Sequence, residues 1–111
     1  MDTRFRRELG SGQDKAFTVA LPVYRKDCPV QFDRALRSIQ ANDLTEGKLL
    51  IIQDGPVPHE ISKTISEYSK KIDLYHLIIP DNVGLARALN QALNIIDTEF
   101  TIRADADDIN L

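Results

Sequence analysis

The sequence contains one cysteine, no long apolar run and no excess of positive charge, and each of these absences excludes a class of protein. Cys28 alone cannot form an intramolecular disulfide, which favours a reducing compartment and a cytoplasmic location. No apolar run approaches the length of a membrane span, and no signal-peptide core follows Met1. A net charge of −3 gives no general electrostatic footprint for nucleic acid. A chain of 111 residues with ordinary hydrophobic content therefore predicts one soluble globular domain.

The first fifteen residues show no periodicity that predicts a helix or a strand. They carry Arg4, Arg6 and Arg7, followed by the flexible segment Gly10–Gly12. One interpretation is a basic arm that contacts anionic lipid, but three arginines are too few to support a membrane anchor. We therefore predict a flexible tail over residues 1–15 and a single domain over residues 16–111.

Four apolar, β-prone runs alternate with three helical patterns, which indicates an α/β fold with a parallel sheet and right-handed crossovers. The runs are continuously apolar, as expected for strands buried on both faces. The helices are predicted to begin near Pro29, Pro58 and Leu85 because an apolar stripe at helical spacing follows each position. The predicted strands are Phe17–Leu21, Lys48–Ile52, Leu74–Ile79 and Thr98–Ala104.

Polar residues follow each predicted strand, and the carboxyl ends of parallel strands meet at one edge of a sheet, where such folds bind ligands. Taken singly, each segment has an ordinary explanation: Asp54 with Gly55 is typical of a turn, and Arg87 of a solvated helix face. The segments brought together are Pro22–Tyr24, Gln53–Gly55, Asp81–Gly84 and Asp105–Asp108.

Together these segments suit a nucleoside diphosphate. The Asp54 carboxylate can accept hydrogen bonds from a base edge, and the Tyr24 ring can lie against the same base. The amino terminus of the third helix and Arg87 can face anionic phosphate. The acidic cluster Asp105–Asp108 can hold Mg²⁺ or Mn²⁺, which prefer oxygen ligands and bridge phosphates.

The acidic cluster has three other interpretations. A calcium loop would need a third oxygen ligand at position 109, which is Ile109. A phosphate-accepting aspartate switch would need paired acids at the end of the first strand, where Pro22–Tyr24 stand instead. A solvated acidic strand end with no ligand stays open.

Five motifs in register resemble the nucleotide-binding half of family 2 glycosyltransferases, which have the GT-A fold. The resemblance runs from about Phe17 to the end of the chain, and it departs from the common pattern at Gln53 and Pro56, often Asp and Ser in the family. The motifs are Val19–Tyr24, Ser38–Gln40, Ile51–Gly55, Asn82–Asn90 and Arg103–Asp108.

The resemblance implies a Rossmann-like GT-A half whose four-stranded parallel sheet has the order 3-2-1-4, with helices on both faces. It implies inverting transfer of a sugar from a nucleotide donor, usually a UDP-sugar, to a glycan or lipid-linked acceptor, with Mg²⁺ or Mn²⁺. The implied nucleotide-binding residues are Pro22, Tyr24, Asp54, Arg87 and Asp105, and the implied metal ligands of the DxD motif and its neighbour are Asp105, Asp107 and Asp108.

The resemblance also implies what to expect beyond this sequence, because the acceptor site and the general base of the family follow the DxD motif. We expect the base beyond Leu111, and a chain that binds a donor but does not turn it over alone. The expected location is cytoplasmic, including the inner face of the membrane through peripheral association of the full-length protein. Two rival hypotheses are a nucleotide-binding module without catalysis and an interaction domain whose acidic edge binds a cation or a basic partner.

Overall fold

The computed structural model describes residues 16–42 and 46–106 in full and the backbone of residues 4–7. These residues form an α/β domain, as the sequence predicted. In chain order the elements are β1 (Arg4–Arg7), β2 (Phe17–Val23), α1 (Pro29–Ala41), β3 (Gly47–Asp54), α2 (His59–Tyr68), β4 (Leu74–Ile79), α3 (Leu85–Leu93) and β5 (Phe100–Arg103).

The sheet contains the predicted parallel core. Strands β4, β3, β2 and β5 lie side by side and all pair in parallel, so the four predicted strands have the order 3-2-1-4. The chain moves outward from β2 to β3 and β4, and then returns through α3 to place β5 on the other side of β2. The direction of winding therefore reverses between β2 and β5, which is the topological switch point of such a sheet.

A fifth strand among the described residues corrects the prediction of a tail. Arg4–Arg7 pairs antiparallel with β4, opposite Tyr75–Ile78, and forms one edge of the sheet. The prediction of a flexible tail is therefore wrong for these four residues. No apolar strand pattern is visible at these positions because three of the four residues are arginines. Charged residues are typical of edge strands, where they discourage pairing with other chains.

The apolar core lies in two layers, one on each face of the sheet. Alternate residues of the strands point to opposite faces, so Leu21 and Ile51 pack beneath α1 and α2, whereas Leu50 and Ile52 pack beneath α3. All four side chains are buried, which explains why the strand sequences are continuously apolar. The prediction of helices on both faces is confirmed.

The third helix covers its face of the sheet only in part. Ala88 and Ala92 are buried against the strands, but Leu85 and Leu93 at the two ends of the helix are exposed. Small buried residues let α3 approach the sheet closely, and Leu89 in the middle of the helix packs partly buried against the same core. Within the described ranges, no helix has the length and hydropathy needed to cross a membrane.

Candidate functional site

A cleft of about 500 Å³ opens at the carboxyl edge of the sheet, at the switch point between β2 and β5. Its walls come from the ends of β2, β3 and β5 and from the loop and first turn of α3. The lining residues are Pro22, Val23, Tyr24, Asp27, Asp54, Asn82, Gly84, Leu85, Ala88, Arg103, Asp105 and Ala106. The cleft thus brings together four of the predicted site residues, namely Pro22, Tyr24, Asp54 and Asp105.

The first wall is a tight turn that follows β2. The Tyr24 backbone N–H donates to Asp27 Oδ2 at 3.0 Å, and the Asp27 N–H donates back to the Tyr24 carbonyl oxygen at 3.1 Å. This turn ends the strand and leads into α1, and it leaves the Tyr24 ring partly exposed in the cleft. Tyr24 therefore offers an aromatic face to a planar group in the cleft.

The Asp54 carboxylate lies at the floor of the cleft and holds the loop between β4 and α3. Its Oδ1 accepts the Val83 N–H at 2.7 Å, and its Oδ2 accepts the Gly84 N–H at 3.0 Å and the Asn82 side-chain amide at 3.2 Å. Asp54 is only 5% exposed. Three of roughly four acceptor positions on the carboxylate are therefore occupied by the protein itself.

The glycine after Asp54 allows this close approach of the two loops. Gly55 has a φ of +84°, and a Cβ on it would lie 2.8 Å from the backbone nitrogen of Asn82. Gly84, which precedes α3, also has a positive φ of +93°, but a Cβ there would point into open space. Gly55 is thus required by both conformation and space, and Gly84 by conformation alone.

Gln53, where the sequence departs from the common family pattern, does not line the cleft. It is buried, and its side-chain amide donates to the Gly55 carbonyl oxygen at 3.1 Å. Its Oε1 lies 2.9 Å from Nε2 of buried His76, which must then carry the ring hydrogen. The Gln53–His76 pair supports the Asp54–Gly55 turn, so buried His76 has a structural role.

The wall formed by β5 carries an ion pair. Arg103 and Asp105 both line the cleft, and a guanidinium nitrogen of Arg103 lies 3.2 Å from Asp105 Oδ1. Their side chains are 52% and 42% exposed. Arg103 was not among the site residues predicted from the sequence. Alternation along a strand directs residues 103 and 105 to the same side, and this signal would have found it. Asp27, three residues after Tyr24 in the turn, was also missed.

The remaining predicted site residues lie elsewhere. Arg87 is exposed on α3 and is not among the residues that line the cleft. Asp107 and Asp108 lie outside the described residues. The predicted anion site at the amino terminus of α3 is partly used, because the N–H groups of Val83 and Gly84 already donate to Asp54.

The carboxylate on the β5 wall of the cleft suits a divalent cation. Asp105 offers a half-exposed carboxylate at the sheet edge, and Mg²⁺ and Mn²⁺ are commonly held by one or two carboxylates together with substrate phosphates. Over residues 16–42 and 46–106, no three His, Cys, Asp or Glu side chains gather into a metal-binding group. Asp105 therefore fits as one oxygen ligand of a cation whose other ligands come from elsewhere.

A parallel sheet core with a cleft at its switch point defines a Rossmann-like α/β domain. A family model described as "Glycosyl transferase family 2" matches residues 18–111. The chain belongs to this family.

Curated relatives support the assignment. A UDP-Gal:alpha-D-GlcNAc-diphosphoundecaprenol beta-1,3-galactosyltransferase of Escherichia coli is 36% identical over 94 residues, which cover 85% of this chain and 34% of the relative. The amylovoran biosynthesis glycosyltransferase AmsE of Erwinia amylovora is 27% identical over 95 residues, covering 86% of this chain and 36% of that protein. The chain thus spans about a third of the length of these relatives.

Solved structures show the same fold. Residues 1–349 of TarS from S. aureus superpose with a TM-score of 0.71 at 23% identity, over 83% of this chain and 27% of that one. The mannosyltransferase PcManGT from Pyrobaculum calidifontis, in complex with GDP-Man and Mn²⁺, gives a TM-score of 0.70 at 18% identity, over 86% of this chain and 28% of that one. The GT-A fold is confirmed.

Proposed function

We propose that this chain is the donor-binding part of an inverting glycosyltransferase that transfers a sugar from a nucleoside diphosphate to a glycan or lipid-linked acceptor in polysaccharide biosynthesis. The cleft at the switch point carries the proposal, since it combines an aromatic ring, carboxylates and an arginine in one crevice. The name of the relative from E. coli supports a UDP-sugar donor and a lipid-diphosphate acceptor. Such an acceptor would bring the full-length protein to the cytoplasmic face of the membrane.

The base of the donor would lie between Tyr24 and Asp54. We assign Tyr24 to stacking, because its ring is partly exposed in the cleft, and Pro22 to the apolar wall beside it. Asp54 retains about one acceptor position for an N–H of the base after holding the loop before α3. A base that presents an N–H donor, such as uracil, suits this single acceptor position.

The diphosphate would lie toward β5. Asp105 would bind the cation there, and Asp107 and Asp108, the rest of the acidic motif, are proposed as its partners. The cation would neutralise the charge that develops on the leaving diphosphate. Arg87, which the family resemblance assigns to the diphosphate, would reach it only from outside the cleft wall.

Sugar transfer with inversion also needs a general base that removes the proton of the acceptor hydroxyl as it attacks the anomeric carbon. We expect this base beyond Leu111, because the acceptor half of the family follows the acidic motif. The residues described here would orient the donor and shield one side of its diphosphate. Recognition of the donor and deprotonation of the acceptor would thus be the work of different parts of the full-length protein.

Titration calorimetry with UDP and with GDP, each with and without Mn²⁺, tests the proposal. We expect saturable binding of UDP that is tighter with Mn²⁺ in the wild-type chain and loses its Mn²⁺ dependence in Asp105→Ala. Sugar transfer by the full-length protein would then separate a transferase from a nucleotide-binding module without catalysis. Absence of binding to either nucleotide, with or without the metal, would refute the proposed function.

A further inference from the structure

Arg103 is a positively charged residue on the cleft wall that the family resemblance does not assign to donor binding. Its guanidinium lies 3.2 Å from Asp105, the carboxylate proposed for the metal. Both side chains are about half exposed, and pairs of this kind change an equilibrium constant by less than about fivefold. The Arg103–Asp105 ion pair is therefore weak enough for either residue to leave it for a stronger partner.

Two groups were predicted from the sequence to contact the diphosphate. One of them lies outside the cleft lining, and the other already donates hydrogen bonds to Asp54. Arg87 is exposed on α3 and does not line the cleft. At the amino terminus of α3, the N–H groups of Val83 and Gly84 donate to Asp54. Among the described residues that line the cleft, Arg103 is the one with a positive charge. An anionic group entering the cleft would thus meet Arg103 first.

We propose that Arg103 binds the diphosphate of the donor, and that in the donor-free protein Asp105 holds its guanidinium in place. Donor binding exchanges the partner: the planar guanidinium turns from one carboxylate to phosphate oxygens, which it can bind through two parallel hydrogen bonds. The exchange releases Asp105 for the cation at the moment when the phosphates arrive. Nucleotide and metal therefore bind cooperatively, and this cooperativity adds to any that arises because the cation bridges the phosphates. This inference rests on the proposed function.

A comparison of two arginines tests the assignment. UDP and uridine are titrated into the wild-type chain, Arg103→Gln, Arg103→Lys and Arg87→Gln. We expect Arg103→Gln to weaken UDP by about 10- to 100-fold, as befits a lost charge-assisted hydrogen bond, and to leave uridine unchanged. Arg103→Lys should recover part of the loss, since it keeps the charge without the fork. Arg37→Gln, an exposed substitution on α1, controls for loss of charge alone.

A double-mutant cycle tests the exchange of partners. In metal-free buffer, Asp105→Asn should tighten UDP by about two- to fivefold, because Arg103 no longer has to leave a charged partner. The same substitution made in Arg103→Gln should give a smaller gain, due only to reduced repulsion of the phosphates. Mn²⁺ alone should bind Arg103→Gln more tightly than the wild-type chain, since Asp105 is already free.

The outcomes separate this inference from the proposed function. If the wild-type chain binds UDP and Arg103→Gln binds it equally well, or if Arg87→Gln carries the loss instead, the role of Arg103 is wrong and the proposed function stands. If Asp105→Asn gives the same gain in both backgrounds, partner exchange is refuted. If the wild-type chain binds neither UDP nor GDP, both proposals fall. Thermal unfolding of each variant shows whether the fold is retained.

Discussion

Replacement of Asp54 by asparagine should destabilise the domain before any ligand is added. The carboxylate accepts hydrogen bonds from the Val83 N–H, the Gly84 N–H and the Asn82 side chain across the 2.7–3.2 Å range. An asparagine has one acceptor oxygen where the aspartate has two. Whichever way the amide is turned, its NH₂ group faces at least one backbone N–H, so a part-buried donor loses its partner.

The magnitude follows from the number of hydrogen bonds lost. With the asparagine oxygen at the Oδ2 position, the Val83 bond is lost; with the oxygen at Oδ1, the Gly84 and Asn82 bonds are lost. An unsatisfied donor costs about 1–3 kcal/mol. We expect the asparagine amide to take the orientation that loses only the Val83 bond, and the free energy of unfolding to fall by about 2 kcal/mol. For a domain of this size, this corresponds to a fall in Tm of about 10 °C.

Equilibrium unfolding in urea measures the loss, and Asp81→Asn provides the matched control. Asp81 is an exposed aspartate in the same loop, so the identical chemical change there should shift the unfolding free energy by less than about 0.5 kcal/mol. Equal stability of the two variants would refute the role of Asp54 in holding the loop. A changed m-value would instead indicate that the native state had loosened.

Three further changes test other parts of the cleft. Gly55→Ala should lower the free energy of unfolding by about 1 kcal/mol or more beyond the effect of Gly84→Ala. Both substitutions place a Cβ on a residue with positive φ, but only the Cβ at position 55 would clash with backbone atoms. Urea unfolding of the two variants measures the difference. Asp54→Asn should weaken UDP more than pyrophosphate in calorimetry, by roughly 1.5–3 kcal/mol, if its remaining acceptor reads the base; equal weakening would assign it to the loop alone. Asp107→Ala should reduce Mn²⁺-dependent UDP binding by about 2 kcal/mol, since the cation loses a charged ligand, whereas unchanged binding would remove Asp107 from the metal site.

The parallel core of the sheet was predictable because its signal is local. Continuous apolar runs such as Leu49–Ile52 arise from burial on both faces, and the structure buries these residues beneath helices on either side. The strand Arg4–Arg7 was not predictable in this way, since an edge strand needs no apolar side chains and its pairing depends on β4, about seventy residues away in the chain.

The site was predictable as a set of strand ends but not as a set of contacts. The sequence places Asp54 at a strand end, yet its hydrogen bonds to residues 82–84 depend on how a distant loop folds over it. Because of those contacts, the Asp54 carboxylate is not a free acceptor, since most of its acceptor positions are occupied by the protein itself. For Arg103, the position two residues before Asp105 was visible in the sequence. Only the structure shows that both residues line the same cleft and form an ion pair there.

The last strand leaves an edge that should drive association of this chain with itself. β5 pairs with β2 on one side, and among the described residues no strand pairs with its other side. Phe100 and Ile102 share one face of β5 and are 61% and 53% exposed. The opposite edge of the sheet, β1, is rich in arginine, whereas β5 combines an edge position among the described strands with exposed apolar side chains, which favours pairing between strands of two chains.

We therefore expect the 111-residue chain to self-associate in a concentration-dependent manner, without turnover of a UDP-sugar. Ile102→Lys places a charge in the middle of β5 and should shift the equilibrium toward monomer in analytical ultracentrifugation. Leu93→Lys, at an apolar residue on α3 that is 61% exposed, is the matched control and should leave association unchanged, because it lies away from the strand edge. A wild-type chain that stays monomeric at high concentration would contradict the edge mechanism. Equal effects of both lysines would replace strand pairing with general hydrophobic contact as the cause.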